Sequence, residues 1–136
     1  MTERSGFGRA PSLDDIAALA QAAFDALPEP FRRMTGEVLF RVEDFAPDEV
    51  LGQLGIEDPF ELTGLYQGLD LTHRSIFDPQ PQSSIVHLYR QPILDEWIAH
   101  GEITLGELVT HVLVHEIGHH FGLSDEGIEA IEASGG

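Results

Sequence analysis

The chain has 136 residues, 42% of them hydrophobic, which is enough for one compact domain and too few for two ordinary ones. Its 24 acidic residues outnumber seven arginines, lysine is absent, and the net charge of −17 excludes the basic surface that nucleic-acid binding requires. No apolar run is long enough for a membrane span or a signal peptide, so we expect a cytoplasmic protein that binds neither membranes nor nucleic acid.

The first half of the chain predicts helices and one strand after a flexible tail of residues 1–11. Ser12 and Asp15 form a helix-capping pattern, and apolar residues then recur at helical spacing until Pro28. Residues 38–43 alternate between apolar and polar side chains, as in a half-buried strand. The predicted helices of this half are residues 13–27, 31–35 and 47–54.

The second half predicts two strands with a long loop between them. Residues 62–69 form a weaker strand, because Gly64 and Gly68 suit a sheet edge or the close approach of another backbone. Residues 85–89 form a cleaner strand, which we expect in the sheet interior, and residues 70–84 are a loop with two prolines.

Two helices follow, and they complete the predicted domain of residues 12–133. The first covers residues 92–100, and the second, residues 105–121, begins at a capping box of Thr104 and Glu107. The order of elements predicts an α+β fold, and the last three residues, 134–136, are expected to be disordered.

The last long helix contains an H-E-x-x-H motif formed by His115, Glu116 and His119. The two histidines are four residues apart and project from one face of the helix, where one metal ion can bridge them. Glu116 lies about 100° around the helix from His115, within reach of a metal-bound water but not as a ligand. The motif therefore predicts a zinc site with Glu116 as the general base.

A catalytic zinc site needs a third protein ligand and an open position for water. Cysteine is absent, so this ligand must be His, Asp or Glu. Gly122 follows the helix, where a left-handed glycine reverses the chain and lets Asp125 return toward the histidines. We predict that the two histidines and Asp125 bind one Zn²⁺ per chain. Glu126 is a rival ligand, and residues 124–126 can instead cap a short final helix.

Other polar side chains are candidates for supporting roles. His111 lies one turn before His115, and we expect it to support or pack near the site without binding the metal. His120 points away from the pair and is expected to pack. A second donor to the oxyanion is commonly required, and the sequence does not rank the candidates for it, which are Tyr66, Tyr89, His73 and Arg74.

Residues 115–126, together with residues 27–31, 64–68 and 88–93, resemble the bacterial zincin-like metallopeptidase family of small single-domain proteins. The resemblance implies a minimal zincin-like fold, with a small mixed sheet beside the helix that carries the H-E-x-x-H motif. It also implies that His115, His119 and Asp125 occupy the ligand positions of that motif. The chain departs from the larger metzincins, because no methionine follows Asp125 and the methionine turn beneath their metal is missing.

These observations favour hydrolysis of peptide bonds in a peptide or protein substrate. The alternative is a non-catalytic zinc-binding structural or interaction domain, and an open coordination position distinguishes the two. We expect an extended substrate to pair with an edge strand at residues 62–66, with the loop of residues 70–84 as one wall of the cleft. The same segment can also be a weak strand that ends in a turn.

Overall fold

The structure is a computed structural model that describes residues 10–68, 83–124 and 126–130. The predicted C-terminal tail and most of the predicted N-terminal tail lie outside these ranges. Residues 70–82 of the predicted loop also lie outside them, and so do residue 69, the last of the predicted second strand, and Asp125. The predicted domain limits, residues 12 and 133, stay predictions.

The first helix, α1 (Leu13–Asp25), begins at the predicted capping box. The Asp15 N–H donates to the Ser12 hydroxyl over 3.1 Å, and the Ser12 N–H donates to the Asp15 carboxylate over 2.8 Å. Two backbone donors that the helix itself cannot bond are thereby satisfied. The helix ends two residues before the predicted end, because Pro28 disfavours a helical conformation at Leu27 directly before it.

Two short helices, α2 (Glu29–Thr35) and α3 (Asp48–Leu54), follow. The first begins two residues before its predicted start, because Pro30 occupies a first-turn position where no backbone N–H is needed. The second ends as predicted at Gly55, whose φ of 71° lies in the left-handed region that favours glycine. A 3-10 turn at Pro59–Glu61 is an addition to the predicted elements.

Three strands form one mixed sheet: β1 (Glu37–Glu43), β2 (Gly64–Gly68) and β3 (Ser83–Tyr89). β3 lies in the centre, parallel to β1 and antiparallel to β2. Within the described residues β2 pairs with β3 alone, which confirms the prediction of an interior third strand and an edge second strand. The helices of the described residues and this mixed sheet confirm the predicted α+β class.

Two longer helices follow the sheet. α4 (Arg90–His100) begins directly after β3, two residues before its predicted start, because Pro92 falls in the first helical turn. α5 (Leu105–His120) begins at the predicted capping box, in which the Glu107 N–H donates to the Thr104 hydroxyl over 3.0 Å. A last helical turn covers residues 126–130. None of the helices in the described part of the chain is long and apolar enough to cross a membrane.

The main core lies between one face of the sheet and helices α1 and α5. Full burial of one aliphatic side chain contributes about 1.5–3 kcal/mol, so a helix with many such side chains is firmly held. α5 is anchored in this way over most of its length and therefore presents the H-E-x-x-H motif on a rigid element. Its buried aliphatic side chains are Leu105, Leu108, Val109, Val112, Leu113, Val114 and Ile117.

Candidate metal centre and active site

The two histidines of the motif lie one turn apart near the C-terminal end of α5. The ring centroids of His115 and His119 are 5.6 Å apart, with 83° between the ring planes. Two imidazoles that bind one tetrahedral zinc ion through Zn–N bonds of about 2.0–2.1 Å have centroids roughly 5 Å apart. The described pair therefore fits a single zinc ion after a small side-chain adjustment.

Glu116 lies where α5 meets the start of β2. A Cβ atom added to Gly64 would be 3.4 Å from Cγ of Glu116 and 2.9 Å from Cγ1 of Val112. Because Gly64 has no side chain, the strand can approach the helix closely at this point. The Glu116 side chain is thus half-buried and partly enclosed by the start of β2.

This enclosure changes the acidity of the glutamate. Burial raises the pKa of Glu116 above its ordinary value of 4.5, because the charged form loses solvation, and the positive charge of His119 opposes part of the change. Glu116 therefore holds a proton up to a higher pH than an exposed glutamate does.

The end of α5 is a Schellman turn centred on Gly122, as the glycine pattern predicted. Gly122 has a φ of 76°, which lies in the left-handed region. The Leu123 N–H donates to the Gly118 carbonyl over 2.9 Å, and the Gly122 N–H donates to the His119 carbonyl over 3.0 Å. These two hydrogen bonds reverse the chain directly after the second histidine of the motif.

The returning segment packs back onto the motif helix. A Cβ atom added to Gly118 would be 2.7 Å from Cγ1 of Ile128, and Ile128 is fully buried. Ser124 begins the last helical turn, because its hydroxyl accepts the Gly127 N–H over 3.1 Å and its carbonyl accepts the Ile128 N–H over 2.9 Å. The cap of this turn is therefore provided by Ser124.

Sequence reasoning missed the role of Gly118. The signal was available, because glycine within a helix costs about 1 kcal/mol relative to alanine and its presence there indicates a packing or functional reason. That reason is the contact with Ile128, which has room only where the helix has no side chain.

The third predicted ligand lies in a gap between the described ranges. Within residues 10–68, 83–124 and 126–130, no three His, Asp or Glu side chains lie close enough together to hold one metal ion. Asp125 falls between the last two ranges, so the predicted ligand set lies only partly in the described residues. The rival ligand, Glu126, is described and is exposed.

β2 runs beside α5 over the turns that carry the motif. Its first residue, Gly64, lies against Glu116, and two residues later the ring of Tyr66 lies 4.1 Å from that of His120 and 5.8 Å from that of Phe121. His120 is therefore a packing residue, as predicted. An edge strand thus borders the helix along the candidate site.

The two described tyrosines differ in what their hydroxyl groups contact. The Tyr66 hydroxyl forms a hydrogen bond with the hydroxyl of Ser84 inside the core. Tyr89 is almost fully buried, and burial raises its pKa, with further increases from the charges of Glu43 and Glu116. The other two oxyanion candidates, His73 and Arg74, lie outside the described residues.

His111 lies close to the motif pair. Its ring centroid is 4.0 Å from that of His115, one helical turn further along α5. The imidazole of His111 therefore packs beside that of His115, in keeping with the prediction of a residue near the site.

A helix with an H-E-x-x-H motif, packed along the edge strand of a small mixed sheet, is typical of zincin-type proteins. A family model described as zincin-like metallopeptidase matches residues 35–134, which is 100 of the 136 residues, and the chain belongs to this family. The family suggests zinc-dependent peptidase activity, and therefore a hydrolase that acts on peptides. A search of curated proteins found no match to the chain.

Proposed function

We propose that the protein is a zinc-dependent metallopeptidase in which Glu116 is the general base and His115, His119 and Asp125 bind one zinc ion per chain. The observation that carries the proposal is the position of Glu116. Its side chain is half-buried and partly enclosed by Gly64 at the start of β2, on the same helix as two histidines whose ring separation is close to that expected around one zinc ion.

The chemistry follows from the proton affinity of Glu116. Zinc, when bound, lowers the pKa of a water ligand to about 7 and polarises the substrate carbonyl. Glu116 takes a proton from the attacking water as the water oxygen bonds to the peptide carbonyl carbon. It then delivers this proton to the amine nitrogen as the C–N bond breaks. Burial of Glu116 assists the first step, because a carboxylate with a higher pKa binds the proton of the water more strongly.

The local contacts around residue 125 support Asp125 as the third ligand. The Schellman turn at Gly122 reverses the chain, and Ile128 packs on Gly118, so described residues on both sides of position 125 lie beside the motif helix. Ser124 already caps the last helical turn, which removes the need for a carboxylate in that role.

The edge strand supports a position for the substrate. β2 has one side paired with β3, and an extended peptide can add to the other side through main-chain hydrogen bonds. The start of β2 touches Glu116, so a peptide on this edge would bring a scissile bond close to the base. We propose that residues 62–66 line the cleft. Residues 70–82 of the proposed cleft wall lie outside the described residues.

The decisive experiment compares wild type with Glu116→Gln. Zinc content is measured by metal analysis, and cleavage is measured on an unfolded protein substrate. We expect about one zinc per chain in both proteins and a 10²- to 10⁴-fold lower cleavage rate in the variant, as is typical when a general base is lost. Loss of zinc from Glu116→Gln would make Glu116 a ligand and contradict its proposed role. Zinc without any cleavage by wild type would favour a non-catalytic zinc-binding domain.

A second experiment tests the ligand set by titration with a chelator. His115→Ala and His119→Ala should abolish stoichiometric zinc binding, because two ligands do not hold the ion against a chelator. Asp125→Ala should weaken binding much more than the matched change Glu126→Ala at the next position. An equal or larger effect at Glu126 would shift the third ligand by one residue.

A further inference from the structure

We infer that a pocket beside the proposed zinc site binds an arginine or lysine side chain of the substrate, an inference that rests on the proposed peptidase function. The pocket lies between α4 and the first half of α5 and has a volume of about 270 Å³. Its described lining residues are Glu96, His100, Ile103, Glu107, Leu108 and His111.

The chemistry of the lining matches a long cationic side chain. Ile103 and Leu108 provide apolar surface, while Glu96 and Glu107 contribute exposed carboxylates. Lysine and arginine bury their aliphatic stems against apolar surface and keep the charged head where it meets acidic or polar groups. A neutral aliphatic side chain would contact only the apolar surface of Ile103 and Leu108. An acidic side chain would be repelled by the two carboxylates.

The size of the pocket also favours one side chain. A volume of about 270 Å³ corresponds to roughly nine water molecules at about 30 Å³ each, and it lies just below the range of roughly 300–1,000 Å³ typical of pockets for whole small-molecule ligands. The pocket therefore suits one large residue of a longer chain whose remaining residues bind elsewhere.

The position of the pocket connects it to the proposed site. His111 lines the pocket, and its ring centroid is 4.0 Å from that of His115. These residues are one helical turn apart, which corresponds to about 6 Å along the helix axis. An extended peptide advances about 3.3 Å per residue, so the pocket would receive a side chain one or two residues from the bond that is cut. The net charge of −17 would also attract basic peptides over longer distances.

The test measures peptide binding to the zinc-loaded full-length Glu116→Gln variant, so that the readout does not depend on catalysis. The probes are end-blocked alanine pentapeptides with a single arginine at each position in turn, and a matched series with norleucine. At pH 8 and low salt we expect one arginine position to bind about five- to tenfold more tightly than norleucine, as two partly exposed ion pairs would give. Equal affinities, or no binding of any arginine peptide, would overturn the inference.

The pocket carboxylates are then removed in the same background. Glu96→Gln together with Glu107→Gln should bring the affinity ratio to about one, and glutamine at residue 107 can retain the capping box. The control is Asp95→Asn together with Glu57→Gln, which also removes two negative charges, at exposed residues outside the pocket lining, and it should keep the ratio. An equal decrease in the control would assign the preference to overall charge and overturn the pocket assignment.

Cleavage of the same peptides by wild type separates this inference from the proposed function. Preferential binding of arginine peptides without any cleavage would support the pocket and contradict the peptidase proposal. Cleavage of both series at equal kcat/KM, with equal affinities, would support the peptidase proposal and overturn the pocket.

Discussion

The two edges of the sheet are built in different ways. At the β1 edge large apolar side chains pack on α1, and the rings of Phe40 and Phe24 meet edge to face with 6.0 Å between their centroids. At the β2 edge Gly64 has no side chain, and Val112 and Glu116 of α5 come into contact distance of the strand backbone. Side-chain packing holds the first edge, and a close backbone approach holds the second.

This difference separates stability from the proposed chemistry. The start of β2 lies against the motif helix α5, and β3 separates β2 from β1. Changes at β1 should therefore affect the free energy of unfolding alone, whereas changes at β2 should affect both unfolding and the position of Glu116. Four substitutions test this contrast.

The largest loss of stability is expected from Phe40→Ala on β1. Removal of the partly buried ring leaves a cavity beside Phe24 and should lower the free energy of unfolding by about 2–4 kcal/mol, as measured by urea denaturation. The cleavage rate per folded molecule should stay at the wild-type value, because β3 separates the strand of Phe40 from the strand beside Glu116. A decrease of that rate would mean that both edges influence the site.

Gly64→Ala is expected to cost about 1–3 kcal/mol, because the new methyl group meets Val112 at 2.9 Å and the His87 carbonyl at 3.2 Å. The variant should also lower kcat, since the strand or Glu116 must move. The matched control is Gly52→Ala in α3, where no atom lies within 4 Å of the added carbon and the helix should gain about 0.4–1 kcal/mol. If Gly64→Ala changed neither the free energy of unfolding nor kcat, the close approach of Gly64 to α5 would be contradicted.

A smaller effect is expected from the hydrogen bond that joins β2 to the central strand. Tyr66→Phe removes the partner of the Ser84 hydroxyl, which is fully buried, and should cost about 1–2 kcal/mol. The double variant Tyr66→Phe with Ser84→Ala should cost less than the sum of the two single variants, because no buried hydroxyl is then left unpaired. Strict additivity in the denaturation data would show that the two hydroxyl groups are not coupled.

The smallest effect concerns His87, on the other face of β3. Burial lowers its pKa below the ordinary value of 6.5, Arg41 lowers it further, and Glu43 opposes the change. Below pH 6.5 the unfolded chain therefore binds a proton that the folded chain does not, and stability falls as pH decreases toward the folded-state pKa. His87→Gln should reduce this loss between pH 7.5 and 5.5. If the difference in free energy of unfolding between wild type and His87→Gln did not change with pH, the lowered pKa of His87 would be contradicted.

Helix ends were largely predictable from sequence, because capping acts between neighbouring residues. Ser12, Thr104 and Gly122 each occupy the predicted position at a helix end. Two helix starts were predicted two residues too late, because the helices were taken to begin directly after Pro30 and at Pro92. Both prolines lie inside the first turn of their helix. Proline is compatible with any position of the first turn, so its presence does not determine the first helical residue.

Strand pairing and the surroundings of the site could not be predicted in the same way. β1 pairs in parallel with β3, which begins 40 residues after β1 ends, and such a pairing depends on how the helices pack on the sheet. Helical periodicity predicted the relative positions of His115, Glu116 and His119. It did not reveal that Gly64 would meet Glu116, since that contact joins segments about 50 residues apart.

The contact between Gly118 and Ile128 has a consequence for the order of folding. It closes a loop of about ten residues, and loops of this length close in about 10–100 ns, whereas the pairing of β1 with β3 must first bring distant segments together. Each doubling of loop length adds about 0.6 kcal/mol to the entropic cost of closure, so this short loop closes at a lower cost than the pairing of β1 with β3. The turn at the end of α5 can therefore form before the sheet does.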